Sequence, residues 1–221
     1  MMADKHKDWR PPQPGTMPSQ LTDRLNQMRS TLRVQDPSLV AVRSGLSWLT
    51  LGPGRGELHL PFWGRTCILR WPELNGCNDK DDPLPDFQLA MLSYYLVTAD
   101  GSPMTGRWVS FADLPDGRTY NAAFQGYSGD EVVKAFGFDL DGFRSACSKA
   151  GGNAIDLGSA SFVFQALPRV PLMLTYWLGD EDFPSSCKIL FDESASHYLP
   201  IDACAILGSM LTRKVIALSG H

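Results

Sequence analysis

Apolar residues in this chain fall into two rhythms, and the rhythms divide it into elements. Leu21, Leu25, Met28 and Leu32 recur at spacings of four, three and four, which predicts a helix over residues 19–32 with one apolar stripe. Asp36-Pro37 should stop it, because the residue before a proline resists helical backbone. Leu39-Val40-Ala41-Val42 is β-prone and reads as a short strand. Ser44-Gly45 turns the chain into residues 46–51, where Leu46, Trp48 and Thr50 alternate with Ser47, Leu49 and Leu51. After the turn Gly52-Pro53-Gly54-Arg55-Gly56, the run Glu57-Leu58-His59-Leu60 alternates again, with Leu58 and Leu60 facing inward. Residues 66–71 make a fourth strand, so the front third is expected to be an antiparallel meander.

Residues 72–85 read as a polar excursion carrying Asp79, Asp81 and Asp82. A second helix is predicted from about Leu84, with Pro85 in its first turn and Phe87, Met91, Tyr94 and Tyr95 on its face. Residues 108–111 suggest a short extended piece. Asp130 is the expected N-cap of a helix over 131–136, and Asp139 or Asp141 of another ending at Gly151-Gly152. Residues 162–167, 170–178 and 188–191 form the most strand-like region of the chain. Their near-continuous apolarity implies strands covered on both faces, hence the centre of the fold. A last helix starts at Pro200 with Ile201, Ala205, Leu207, Leu211 and Val215; Gly208 inside it is a poor helix former. The fold class expected is α+β, mainly antiparallel sheet packed by several helices, in a single domain over residues 19–221.

Composition narrows the function classes. The chain has 221 residues, 43% hydrophobic and 20% charged, with a net charge of -4 and no basic cluster, which argues against nucleic acid as a partner. The longest apolar stretch, Val170 to Leu178, is about half the ~20 residues that a spanning helix needs, so no membrane partner is expected either. Residues 1–18 mix charge with Pro11, Pro12, Pro14 and Gly15 and read as a disordered tail without the apolar core of a signal peptide. A cytoplasmic location follows, and the cysteines agree. Cys67, Cys77, Cys147, Cys187 and Cys204 are odd in number and widely spaced, unlike a disulfide framework or a zinc ribbon.

Several segments are specific enough to compare with known families. They are Gly106-Arg107-Trp108-Val109-Ser110-Phe111, Leu114-Pro115-Asp116-Gly117 with Tyr120 and Phe124, and Gly151-Gly152. Further on stand Leu167-Pro168-Arg169-Val170-Pro171-Leu172 and residues 176–184, Tyr-Trp-Leu-Gly-Asp-Glu-Asp-Phe-Pro. Leu190-Phe191-Asp192-Glu193-Ser194-Ala195 and Tyr198-Leu199-Pro200 complete the run. In order and spacing these resemble an uncharacterised bacterial and archaeal family, domain-of-unknown-function family 3786, over roughly residues 35–217. The resemblance implies a prokaryotic protein with one domain and no assigned activity. Some relatives resemble fusions to a four-cysteine iron–sulfur module of corrinoid methyl-transfer systems, which links the family to anaerobic one-carbon metabolism. This chain lacks those cysteines, and the resemblance names no cofactor for it.

Three groups of residues are candidates for chemistry. Asp180, Glu181 and Asp182 could hold a hard cation if the fold brought Asp192 or Asp202 close; otherwise they are a solvated turn between core strands. Arg169, stiffened between Pro168 and Pro171, could clamp a carboxylate or phosphate, or pair structurally with that acidic turn. His197 and Tyr198, before the last helix, could serve acid–base work or ligation, or simply be hydrogen-bonded side chains. No metal set is expected, because no second histidine accompanies His197.

Standard signatures fail. Gly52–Gly56 lacks the Gly-Lys-Ser/Thr of a P-loop, the aspartate runs at 79–82 and 139–141 break the calcium-loop pattern, and Gly126-Tyr127-Ser128-Gly129 is one residue short of a nucleophile elbow. The leading expectation is an accessory module that binds an unidentified protein or small ligand. The alternative is an enzyme with a site assembled around the acidic loop, metal-dependent or not. A third is an assembly role through exposed aromatics at Trp63, Trp71 or Trp108.

Overall fold

A computed structural model describes residues 19–220, with side chains from Asp23 onward. The tail expected over residues 1–18, the Leu21 side chain and His221 lie outside the described residues. Helix α1 (Ser19–Arg33) buries Leu25, Met28 and Leu32, the stripe its spacing set up. Each such side chain withdrawn from water contributes about 1.5–3 kcal/mol.

The next run departs from expectation. Leu39–Val42 belongs to a helix, α2 (Pro37–Arg43), and is not a strand. Asp36 keeps extended backbone (φ -71°, ψ 117°), and its carboxylate accepts the Ser38 N–H at 2.8 Å. It is thus an N-cap, and Pro37 sits in the first turn, where its missing N–H is not needed. That cap outweighs the weak β preference of two valines. Val40 and Ala41 turn inward while Leu39 and Val42 stay exposed.

Four strands follow as a consecutive antiparallel sheet: β1 (Trp48–Gly52), β2 (Arg55–Phe62), β3 (Arg65–Trp71) and β4 (Asn75–Asn78). Leu58 and Leu60 are fully buried, with Glu57 and His59 on the other face, as the alternation requires. The sheet therefore exists as expected, but its fourth strand lies inside the supposed polar excursion. Asn-Gly-Cys-Asn carries almost no apolar signal. It pairs because Leu84 and Leu89 close over Gly76, where a Cβ would stand 2.7 Å from the Leu84 side chain. Helix α3 (Asp86–Thr98) packs against α1 and buries Leu89, Met91, Leu92, Tyr95 and Leu96.

The second sheet has the order β5-β9-β8-β7-β6, all antiparallel. Its members are β5 (Trp108–Ser110), β6 (Asn153–Ile155), β7 (Ala160–Leu167), β8 (Val170–Trp177) and β9 (Ser186–Asp192). β8 lies in the middle, with every residue before Trp177 buried, as a strand covered on both faces must be. Four helices accompany this sheet: α4 (Gly117–Tyr127), α5 (Gly129–Phe136), α6 (Leu140–Lys149) and α7 (Ile201–Ile216). α4, absent from the expected elements, carries Tyr120, Ala123, Phe124 and Tyr127 at helical spacing; Phe124 is its one buried aromatic side chain, stacked on Phe111 with centroids 4.2 Å apart. Asp139 caps α6 through the Gly142 N–H at 2.8 Å, whereas Ser128, not Asp130, stands at the cap of α5. Gly208, unfavourable in a helix by itself, is where α7 meets Phe124: a Cβ there would stand 2.5 Å from the ring.

The backbone N–H of Trp63 donates to the Ala166 carbonyl at 3.0 Å, tying the first sheet to the second. One continuous core holds Leu58, Leu69, Tyr95, Leu172 and Phe191 together. The chain is a single α+β domain built on antiparallel sheets. Trp71 is buried, and Trp63 and Trp108 are half-buried, so none of the three heads an exposed aromatic patch. Among the described residues no helix is long and apolar enough to cross a membrane.

Candidate functional site

Asp192, the last residue of β9, organises the end of the second sheet. It is 1% exposed, and its carboxylate accepts five hydrogen bonds. The donors are the backbone and hydroxyl of Ser194 (2.9 and 2.7 Å), the backbone and hydroxyl of Thr105 (3.1 and 3.2 Å) and the Gly106 N–H (2.7 Å). Burial pushes this carboxyl upward, but the bonds from Ser194, Thr105 and Gly106 outweigh it and hold the group below its ordinary range. Two segments are thereby fixed to one anion. One is the loop between α3 and β5; the other is the 3-10 turn Glu193–His197, whose N-cap is Asp192.

Between those segments opens a cleft of about 660 Å³, walled on its third side by the 3-10 turn Phe111–Asp113 and the residues after it. Its polar lining includes Ser102, Thr105, Arg107, Asp113, Glu193 and His197. Arg107 and Glu193, neighbours joined by the Glu193 N–H to Arg107 carbonyl bond, form an ion pair in its lining. Asp113 accepts from the Ser110 hydroxyl at 2.6 Å, and that bond, with the nearby Arg118 charge, keeps it ionised below the usual range.

His197 stands at the rim, half exposed. Its Nδ1 lies 2.6 Å from Asp100 Oδ2 and 3.1 Å from the Ser102 hydroxyl. Asp100 also accepts the Ser102 N–H at 2.8 Å. The Ser102 N–H first, and His197 second, bring its carboxyl down to about 2. Among the described residues no partner meets Nε2, so the imidazole is held by one nitrogen and presents the other.

Tyr198, next in sequence, is fully buried and lies behind the same wall. Its hydroxyl donates to the Ser102 carbonyl, and its ring stacks on Tyr95 with centroids 5.7 Å apart. Arg169 reaches the same place from the turn before β8. Its Nη1 donates to the carbonyls of Gly101 and Ser102, both at 3.2 Å, and to the Tyr198 hydroxyl at 3.3 Å. Gly45 lets it in: φ there is +69°, and a Cβ would stand 2.7 Å from Arg169 Nε.

Arg169, His197 and Tyr198 are therefore gathered around the short loop Asp100-Gly101-Ser102. Asp180, Glu181 and Asp182 are not. They follow β8, whereas Arg169 precedes it, and the eight-residue strand is roughly 25 Å long at ~3.3 Å per residue. Arg169 bonds with backbone carbonyls, not with the acidic turn. Asp180 Oδ1 accepts the N–H groups of Asp182 and Phe183 at 3.0 and 2.8 Å, closing the turn on itself. Asp192 lies at the opposite end of β9, and Asp202 pairs with Arg24 at 3.3 Å, so neither joins the acidic loop. Among the described residues no group of three or more histidine, cysteine or acidic side chains is placed to hold a metal ion. All five cysteines are buried and unpaired.

Sequence reasoning did not single out Asp100, Ser102, Thr105, Arg107 or Glu193. Asp100-Gly101 was legible only as a helix end. Arg107 and Glu193 stood inside recognisable segments, yet nothing local ties residues 86 apart to one cleft.

No curated protein and no solved structure matches this chain. A family model does, over residues 36–214, most of the described chain. The chain belongs to the family described as Domain of unknown function (DUF3786).

Proposed function

We propose that this protein is a cytoplasmic binding module whose cleft beside His197 takes a small polar molecule with a positive charge. The observation that carries this reading is the charge balance of the cleft. Asp113 and Glu193 line it and Asp100 stands behind His197, while Arg107 is the only guanidinium in the lining. Arg107 is already answered by Glu193, so the lining keeps one carboxylate over, Asp113, which only the Arg118 charge outside the lining approaches; an incoming amine or guanidinium meets that carboxylate, with the Ser102 and Thr105 hydroxyls beside it. Arg169 and Tyr198 serve as positioning residues, holding the 101–102 wall from behind. Buried, unpaired cysteines suit a reducing compartment.

The experiment is a thermal-shift series with small amines and guanidines against carboxylates and phosphates of matched size. Cations should raise the melting temperature, because a ligand that binds only the folded state stabilises it by mass action. Glu193→Gln with Asp113→Asn should remove that shift and lower the unliganded melting temperature only slightly, since Asp113 is exposed and Glu193 is half-buried in a surface ion pair. Stabilisation by anions alone would overturn the reading.

The His197–Asp100 pair favours a second reading, an enzyme using His197 Nε2 as an acid or base on the bound molecule. Turnover of the bound molecule separates the two: an enzyme shows it in the parent chain and loses it in His197→Gln with affinity kept, whereas a binding module shows none in either form.

A further inference from the structure

The end of the second sheet opposite the cleft carries a different surface. β6 is a sheet edge with all three residues exposed, so its outer backbone groups have no strand partner among the described residues. The loop after β6 and the loop after β8 are tied together there. The Ser159 N–H donates to the Tyr176 carbonyl and the Leu178 N–H to the Ser159 hydroxyl, both at 2.9 Å. Side by side, these loops and β6 expose Ile155 (39%), Leu157 (42%), Leu178 (39%) and Phe183 (71%).

The charge on the two loops that carry these apolar side chains has one sign. Asp156, Asp180, Glu181 and Asp182 are all exposed, and none forms an ion pair among the described residues. Of the cations on adjoining elements, Arg144 is held by Asp141 at 3.2 Å and by the Ser159 carbonyl, while Lys149 ends α6 and Lys188 lies on β9, both exposed. Globular proteins guard an open edge with lysine, proline, a bulge or a very short strand, and of these β6 has only its shortness, three residues. Its outer backbone stays unpaired among the described residues, and apolar side chains stand inside an acidic rim.

We propose that this end is a docking surface for a basic, extended segment of another protein. The segment adds a strand to β6, rests its aliphatic side chains on Leu157, Leu178 and Phe183, and sets Lys or Arg against Asp156 and the acidic loop. Main-chain pairing supplies the hold, and the rim selects positive partners and speeds their approach. The site is separate from the cleft and stands or falls without it.

The test is a nuclear magnetic resonance titration of the full, nitrogen-labelled chain with a short peptide alternating Lys and Val, and with its counterpart alternating Glu and Val. The Lys peptide should shift amides confined to residues 153–158 and 178–185, and less so as salt is raised. Glu181→Lys with Asp182→Lys should weaken binding about tenfold without moving the melting temperature, because neither carboxylate holds the turn. Phe183→Ser should weaken it as well. Equal binding of the Glu peptide, shifts centred on the cleft, or sedimentation showing a second copy seated on β6 would each overturn the proposal.

Discussion

Arg169 and Tyr198 donate to one and the same acceptor, the Ser102 carbonyl, and the Arg169 guanidinium lies 6.0 Å from the Tyr198 ring centroid. The short 101–102 wall of the cleft is thus held by two side chains that themselves stay out of it. Tyr198→Phe should lower stability by about 1–2 kcal/mol, and Arg169→Ala by about 1.5–3 kcal/mol, since a charged donor is lost and two carbonyls are left short. Arg169→Lys should not restore it, because an ammonium cannot reproduce the planar fork. Urea unfolding of the three variants checks the order; an unchanged Arg169→Ala transition together with lost ligand binding would make Arg169 a ligand contact.

Asp192 is the more sensitive position. Asp192→Ala would leave the N–H groups of Thr105, Gly106 and Ser194 without their acceptor in a buried place. The expected loss is about 3 kcal/mol, and the cleft should lose its shape with it. Asp192→Asn keeps one acceptor oxygen and should fall between. Denaturant midpoints, with amide exchange at Thr105 and Gly106, measure both effects.

Acid should weaken the protein through the same loop. Asp100 and Asp192 both have carboxyls depressed in the folded state, Asp100 to about 2. A depressed group contributes stability above its unfolded value, about 3.9, and loses it as pH falls through the folded value. Melting temperature should therefore drop between about pH 4 and pH 2. Asp100→Asn should flatten part of that slope, an effect kept small by the exposure of Asp100. A slope identical to that of the parent protein would contradict the assignment.

The thiols should be silent in the folded protein. Burial pushes the Cys204 thiol up to about 12, and Cys147 and Cys187 are driven upward for the same reason. Ellman's reagent should find no rapidly reacting cysteine under native conditions, and all five after unfolding. A fast-reacting native thiol would show that one of these sites opens.

Elements whose signal lies in neighbouring residues were legible in the chain itself. The stripe of α1, the alternation of β2 and the unbroken apolar run of β8 each record the environment in which the segment ends up. β4 was not legible, because its pairing is set from outside, where Leu84 and Leu89 close over Gly76. α2 and α4 do carry local signals, the Asp36-Pro37 cap and the spacing of Tyr120, Phe124 and Tyr127, but each is short and competes with a contrary one, two valines in α2 and two glycines in α4.

The candidate site divides in the same way. Arg169, His197 and Tyr198 are unusual enough in their surroundings to be picked from the sequence, and the acidic turn is conspicuous by composition. Sequence by itself determined that these groups exist and that β8 is the buried centre. Only the tertiary structure decided that the strand's length separates Arg169 from Asp180, and that one buried carboxylate draws Thr105 to Ser194. The physical reason is that a strand carries its two ends far apart, whereas a buried charge must collect donors from wherever in the chain they lie.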